Sequence, residues 1–129
     1  MELMDIIKAR HSIRKYTEKQ ISRDDLEKIL EAGNFAPNAG GGQRSMLVAV
    51  HNKELTTYNG FYDAPTVVCV FCQDNFLFKT ADAFCMMENM LLQATELGIA
   101  SCIISRGQET FASEEGRQLM KQWGVPEGY

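Results

Sequence analysis

The stretch TVVCVFCQDNFLFKTADAFCMMENMLLQATELG, residues 66–98, decides the fold class. Its first seven residues, TVVCVFC (66–72), form a continuous apolar run, the pattern of a strand covered on both faces. The period then changes. In TADAFCMMENMLLQATELG (80–98), Phe84, Met86, Met87, Met90, Leu91, Leu92, Ala94 and Leu97 lie around most of a helix circumference. A helix apolar on most sides is expected to be buried on most sides. In a chain of 129 residues, a second subunit is a natural source of one covering layer.

Working outward, MLVAV (46–50) and IASCIIS (99–105) read as further strands. Residues 2–11 fit a first helix, with Leu3, Ile6 and Ile7 on one face. ISRDDLEKILEAGN (21–34) is a second: Ser22 can cap it, Asp24 and Asp25 suit its positive end, and Leu26, Ile29 and Leu30 form the apolar stripe. Gly33 or Asn34 ends it. A last helix falls within 109–124, with Thr110 or Ser113 near its start. FAPNAGGGQRS (35–45) is a loop, because Pro37 and Gly40 to Gly42 break regular structure. Residues 52–65 read as irregular. The order α-α-β-β-α-β-α implies an α+β (mixed α/β) fold in one domain, 1–129. The chain closes on GVPEGY (124–129), turn chemistry that normally leads into another element, so it reads as shortened at its C-terminus, with a strand missing.

With 45% apolar and 23% charged residues, the composition is that of a globular chain. A net charge of −4 argues against a general nucleic-acid binder, and no apolar run reaches the ~20 residues of a membrane span. The N-terminus lacks signal-peptide character. Cys69 and Cys72 have CxxC spacing, but on a strand their thiols point to opposite faces. Without a second such pair or a histidine cluster, no metal site is expected. The cysteines read as buried thiols of a reducing cytoplasm.

RHSIRKY (10–16) gathers Arg10, Arg14 and Lys15 around His11 and Ser12. It reads either as a solvated loop paired with carboxylates or as an anion site, since arginine offers a planar fork of donors that matches phosphate. GxGxxG and GxxxxGK[ST] are both absent, which excludes the familiar dinucleotide and P-loop cradles. PNAGGGQ (37–43) is either a flexible connector or a loop whose bare backbone admits a flat ring or an anion.

Several motifs occur in order along nearly the whole chain: RHSIRKY, then IS-x-x-x-L-x-x-IL-x-A-x-x-APNA, Gln43, DAP (63–65), ATELGIASCI and GVPEGY. In combination they resemble the nitroreductase family of FMN-dependent oxidoreductases. The resemblance implies a central mixed sheet flanked by helices, in an intertwined homodimer with FMN at the subunit interface. It implies that Arg10 and Ser12 hold the phosphate and ribityl chain, with His11 touching the cofactor in a binding role. Arg14 would reach the pyrimidine end, where a fixed cation stabilises the reduced flavin, and Lys15 would be solvated. Pro37, Asn38 and Ala39 would reach the flavin of the other subunit, and Gln43 the polar edge of the ring. Ile104 and Ser105, beside Arg106, would lie along its N5 edge through backbone groups.

The implied activity is ping-pong reduction of nitroaromatics, quinones or similar flat acceptors, with NADH or NADPH as donor. Flavin N5 carries the chemistry, so no side chain is named as catalytic. The alternative is a non-catalytic dimeric flavin binder. The chain departs from the family at GGQRS (41–45), where many relatives read NxQPW. It also has a short segment between 72 and 80, and it ends at Tyr129, before a final strand and basic residues near the phosphate.

Overall fold

A computed structural model describes residues 1–51 and 61–129. β1 (Ser45–His51) and β2 (Thr66–Cys72) pair antiparallel, with Val48 opposite Cys69. Strand alternation then sorts the side chains onto two faces. Leu47, Val68 and Val70 pack on the core of Ile29, Met90 and Ala94. This core is supplied by α2 (Arg23–Asn34) and α3 (Lys79–Glu96). Met46, Val48, Val67, Cys69 and Phe71 pack on the opposite side, with Phe111, Met120, Trp123 and Val125. Those partners come from α4 (Gly107–Ala112), α5 (Glu114–Gln122) and the chain that follows. The sheet is therefore the middle layer, and β2 is covered on both faces as its apolar run predicts.

The helix ends follow local chemistry. Ser22 accepts the N–H of Asp25 and caps α2. α1 (Leu3–Ala9) closes a capping box between Glu2 and Asp5. Gly33, buried on α2, lets that helix approach α3: a Cβ there would meet Met90 Cγ at 2.9 Å.

Four expectations need correction. The helix expected over 109–124 is two helices. Ser113 adopts an extended backbone, and its Oγ accepts the N–H of Gly116, so it ends α4 and caps α5. Residues 99–105 do not form a strand. Apart from the turns at its two ends, on Ala94 and with Gln108, the segment's one backbone bond among the described residues runs 3.0 Å from Ile13 N–H to the Ser101 carbonyl. An apolar run becomes a strand only where a partner strand lies alongside, and among the described residues β2 pairs with β1 alone. Within one chain α3 buries Met86, Met90, Leu91 and Ala94 and leaves Phe84, Cys85 and Glu88 exposed, the side that the sequence reading gives to a second subunit. Cys85 is thus not a buried thiol; Cys69 is buried, and Cys72 and Cys102 are half-buried. The glycine loop also contains a single 3-10 turn, Ala39–Gly41.

The irregular stretch expected over 52–65 lies outside the described residues as far as residue 60; Phe61, next in the chain, is buried. Among the described residues, no helix is long and apolar enough to cross a membrane.

Candidate functional site

The strap formed by residues 10–16 leaves α1 at Arg10, where the backbone turns from helical to extended (φ −61°, ψ 125°). Ile13 and Tyr16 are half-buried, whereas His11, Ser12, Arg14 and Lys15 are exposed. The strap is fastened to residues 101–102 at two points. One is the Ile13–Ser101 backbone bond; the other is Tyr16, whose hydroxyl donates to the Ile13 carbonyl while its oxygen lies 3.2 Å from the Cys102 thiol. Burial pushes the Tyr16 hydroxyl well above the ordinary tyrosine range, the bond to Cys102 adds to this, and Arg14 opposes it.

Arg10 is not free. Its Nε lies 3.7 Å from Glu88 Oε1 on α3, with the two side chains 29% and 51% exposed. His11 Nδ1 lies 2.9 Å from the Ala9 carbonyl. The strap thus presents one partly paired guanidinium together with an exposed guanidinium, imidazole, hydroxyl and ammonium.

The glycine loop is built differently. Gly40 (φ 62°) and Gly41 (φ 65°) occupy the left-handed region that glycine enters without a steric penalty. Gln43 (φ 50°) enters it too, and its N–H donates to Asn38 Oδ1 at 2.8 Å, which closes the loop. Ala39 N–H donates to Asp82 Oδ1 at 2.9 Å, and the Ala39 carbonyl accepts from Arg44 Nη1 at 3.1 Å. Pro37 and Gln43 are exposed, and Asn38 and Ala39 half-buried.

The expected site residues therefore fall into two groups. Residues 10–16 and 101–105 are joined within one chain. Loop 37–43 is fastened to α3 and shares no hydrogen bond with either segment among the described residues. Ile104 packs with Val50 and Phe61, which leaves its backbone as the available group, and Ser105 is exposed. A cleft of about 1520 Å³ is lined in part by residues of β2, α3 and 97–105. It includes Ile104 and Ser105 but not Arg10, His11, Ser12, Arg14 or loop 37–43. Sequence reading missed Asp82, Glu88 and the Tyr16 fastening. Asp82 carries a faint signal as an acid in the first helical turn, but there it passes for dipole complementarity.

The profile of the nitroreductase family matches residues 7–59 and 52–129. A protein of Archaeoglobus fulgidus named for NADH dehydrogenase and NAD(P)H nitroreductase is 31% identical, over 98% of this chain and 78% of its own length. A crystal structure of a Bacteroides fragilis nitroreductase with bound FMN superposes with a TM-score of 0.89 at 35% identity, over 99% of this chain and 82% of that one. One from Desulfitobacterium hafniense, also with bound FMN, gives a TM-score of 0.86 over 98% of this chain and 82% of that one; at 23% identity the likeness concerns the fold. With a family profile over nearly every residue, a relative matched along most of both chains and the same arrangement of helices on a sheet, this chain belongs to the nitroreductase family.

Proposed function

We propose that the protein is a cytoplasmic, homodimeric FMN-dependent NAD(P)H oxidoreductase that reduces nitroaromatics, quinones or similar flat electron-poor molecules. The observation that carries this reading is the strap at the end of α1. It sets the Arg10 guanidinium, the Ser12 hydroxyl and the Arg14 guanidinium on an extended, partly open backbone. That donor set fits a phosphate monoester with a hydroxylated chain behind it. Bound there, FMN supplies a ring that accepts a pair of electrons as hydride from a nicotinamide and yields it to an acceptor.

The chain's own residues bind and orient. Arg10, Ser12 and His11 hold the phosphate and ribityl end. Arg14 sets a positive charge beside the pyrimidine edge, where it favours the reduced ring. Backbone groups of Ile104 and Ser105 lie along the ring. Pro37, Asn38, Ala39 and Gln43 serve the flavin of the second subunit, which agrees with the lack of a hydrogen bond between that loop and the strap in one chain. Apolar surface at Leu3, Met4 and Ile7 of α1 and at Phe84 of α3 is available to the partner subunit.

Titration of the purified protein with FMN tests the reading, followed by steady-state NADH or NADPH oxidation with a nitroaromatic or quinone. Saturable quenching of flavin fluorescence with acceptor-dependent turnover is the expected result. Saturable binding with no turnover favours a flavin-binding protein that lacks the activity. No binding overturns the reading.

A further inference from the structure

Asp82 is the one buried charged residue among those described, 4% exposed in the first turn of α3. Among the described residues its Oδ1 accepts a single bond, from Ala39 N–H, and its buried Oδ2 has no partner. A buried carboxylate with half of its acceptor capacity unused is costly, and a small apolar residue would serve plain packing better. The same Ala39 is held from its other side by Arg44, whose Nη1 donates to the carbonyl. Arg44 is itself held: its guanidinium carbon lies 4.1 Å from the centroid of the Phe76 ring, a cation–π contact. It also lies against Gly42, where a Cβ would collide with Arg44 Nη1. The absent side chain at residue 42 makes the space the guanidinium occupies.

We infer that Asp82 and Arg44 are positioning residues that clamp the glycine loop through the two polar atoms of Ala39, an inference that rests on the flavin reading above. An anion on the N–H and a cation on the carbonyl fix the orientation of both peptide units flanking this residue. The three glycines that follow would otherwise sample many conformations. With Ala39 anchored, Asn38 can close on Gln43, so the residues assigned to the ring stay in register. Arg44 belongs to the same glycine-rich stretch, GGQRS (41–45). The clamp is thus a local means of ordering a loop whose composition is unusually loose.

The test compares Asp82→Ala, Asp82→Asn and Arg44→Met in the full chain by FMN affinity and, without FMN, by hydrogen exchange at the Ala39 amide. Asp82→Ala should weaken FMN binding at least tenfold and speed Ala39 exchange at least tenfold. Asp82→Asn retains an oxygen acceptor and should restore both to within about threefold. Arg44→Met, at a half-buried position on the loop side of β1, should weaken FMN binding at least fivefold and carries the test if Asp82→Ala does not fold. Unchanged affinity in the folded variants overturns the positioning role, and unchanged Ala39 exchange in Asp82→Ala overturns the clamp. An Asp82→Asn protein as impaired as Asp82→Ala overturns the hydrogen-bond account. Should the wild-type protein bind no FMN, the flavin reading fails and the positioning role with it, whereas Ala39 exchange still decides whether the clamp exists.

Discussion

Arg10 and Glu88, 78 positions apart in the chain, meet at 3.7 Å where α1 ends against the middle of α3. The cation assigned to a ligand's phosphate already has an internal anion beside it. Removing that competitor should therefore improve binding. Glu88 is half exposed, so the pair is worth at most about 1 kcal/mol after solvent screening. Glu88→Gln is expected to tighten FMN binding by roughly twofold to fivefold, with the gain shrinking at high salt. Fluorescence titration at two ionic strengths measures this, and weaker binding would show that Glu88 supports the site.

Arg10→Ala should act in the opposite direction. A charge-assisted hydrogen bond contributes roughly 1.5–3 kcal/mol, so affinity should fall by about tenfold to a few hundredfold. Arg10 caps α1 through its backbone, which alanine retains, so the melting temperature should change little. Titration beside a thermal melt separates the two effects.

The corner between α4 and α5 should be the most brittle point of the C-terminal layer. A Cβ on Gly116 would lie 2.0 Å from the Thr110 carbonyl oxygen and 2.7 Å from Phe111 Cα, both backbone atoms that cannot rotate away. Gly116→Ala should cost about 3 kcal/mol or more, a fall of roughly 10 °C in melting temperature. A change below 2 °C would mean that the corner relaxes.

Thiol chemistry should follow burial. Cys85 is exposed and should react first with an alkylating reagent at pH 8. Cys69 should react last, because burial pushes its thiol up to about 12. The folded state keeps that proton after the unfolded chain begins to lose it near pH 9. The stabilisation is therefore intact below pH 9 and is lost progressively as pH rises toward 12, by up to about 1.4 kcal/mol per pH unit. Tyr16 is shifted in the same direction and adds to the alkaline loss. Urea midpoints at pH 8 and pH 10 measure the combined fall, and mass spectrometry after timed alkylation gives the order of reaction.

Much of the architecture could be read locally. TVVCVFC announced β2 because six apolar residues in a row after Thr66 suit one buried strand, and the observed element has the same bounds. Ser22 and the acids after it marked α2 for equally local reasons. The failures were of another kind. IASCIIS is as apolar as β2, yet strand formation depends on a neighbour that a local pattern does not contain. Thr110 and Ser113 both read as residues near one helix start, and nothing local marks Ser113 as the end of a helix before it. At the site, Arg10 and Ala39 were legible as members of motifs. The groups that hold them, Glu88 and Asp82, lie 78 and 43 positions away and leave no periodic trace.

The same helix carries both of these fastenings, with a mechanical consequence. α3 is seated in the core at Ala94, beside Ile29. Asp82 and Glu88 lie roughly 18 Å and 9 Å from that seat along the axis. A small tilt about the seat would act as a lever, carrying the glycine loop about twice as far as it carries Arg10.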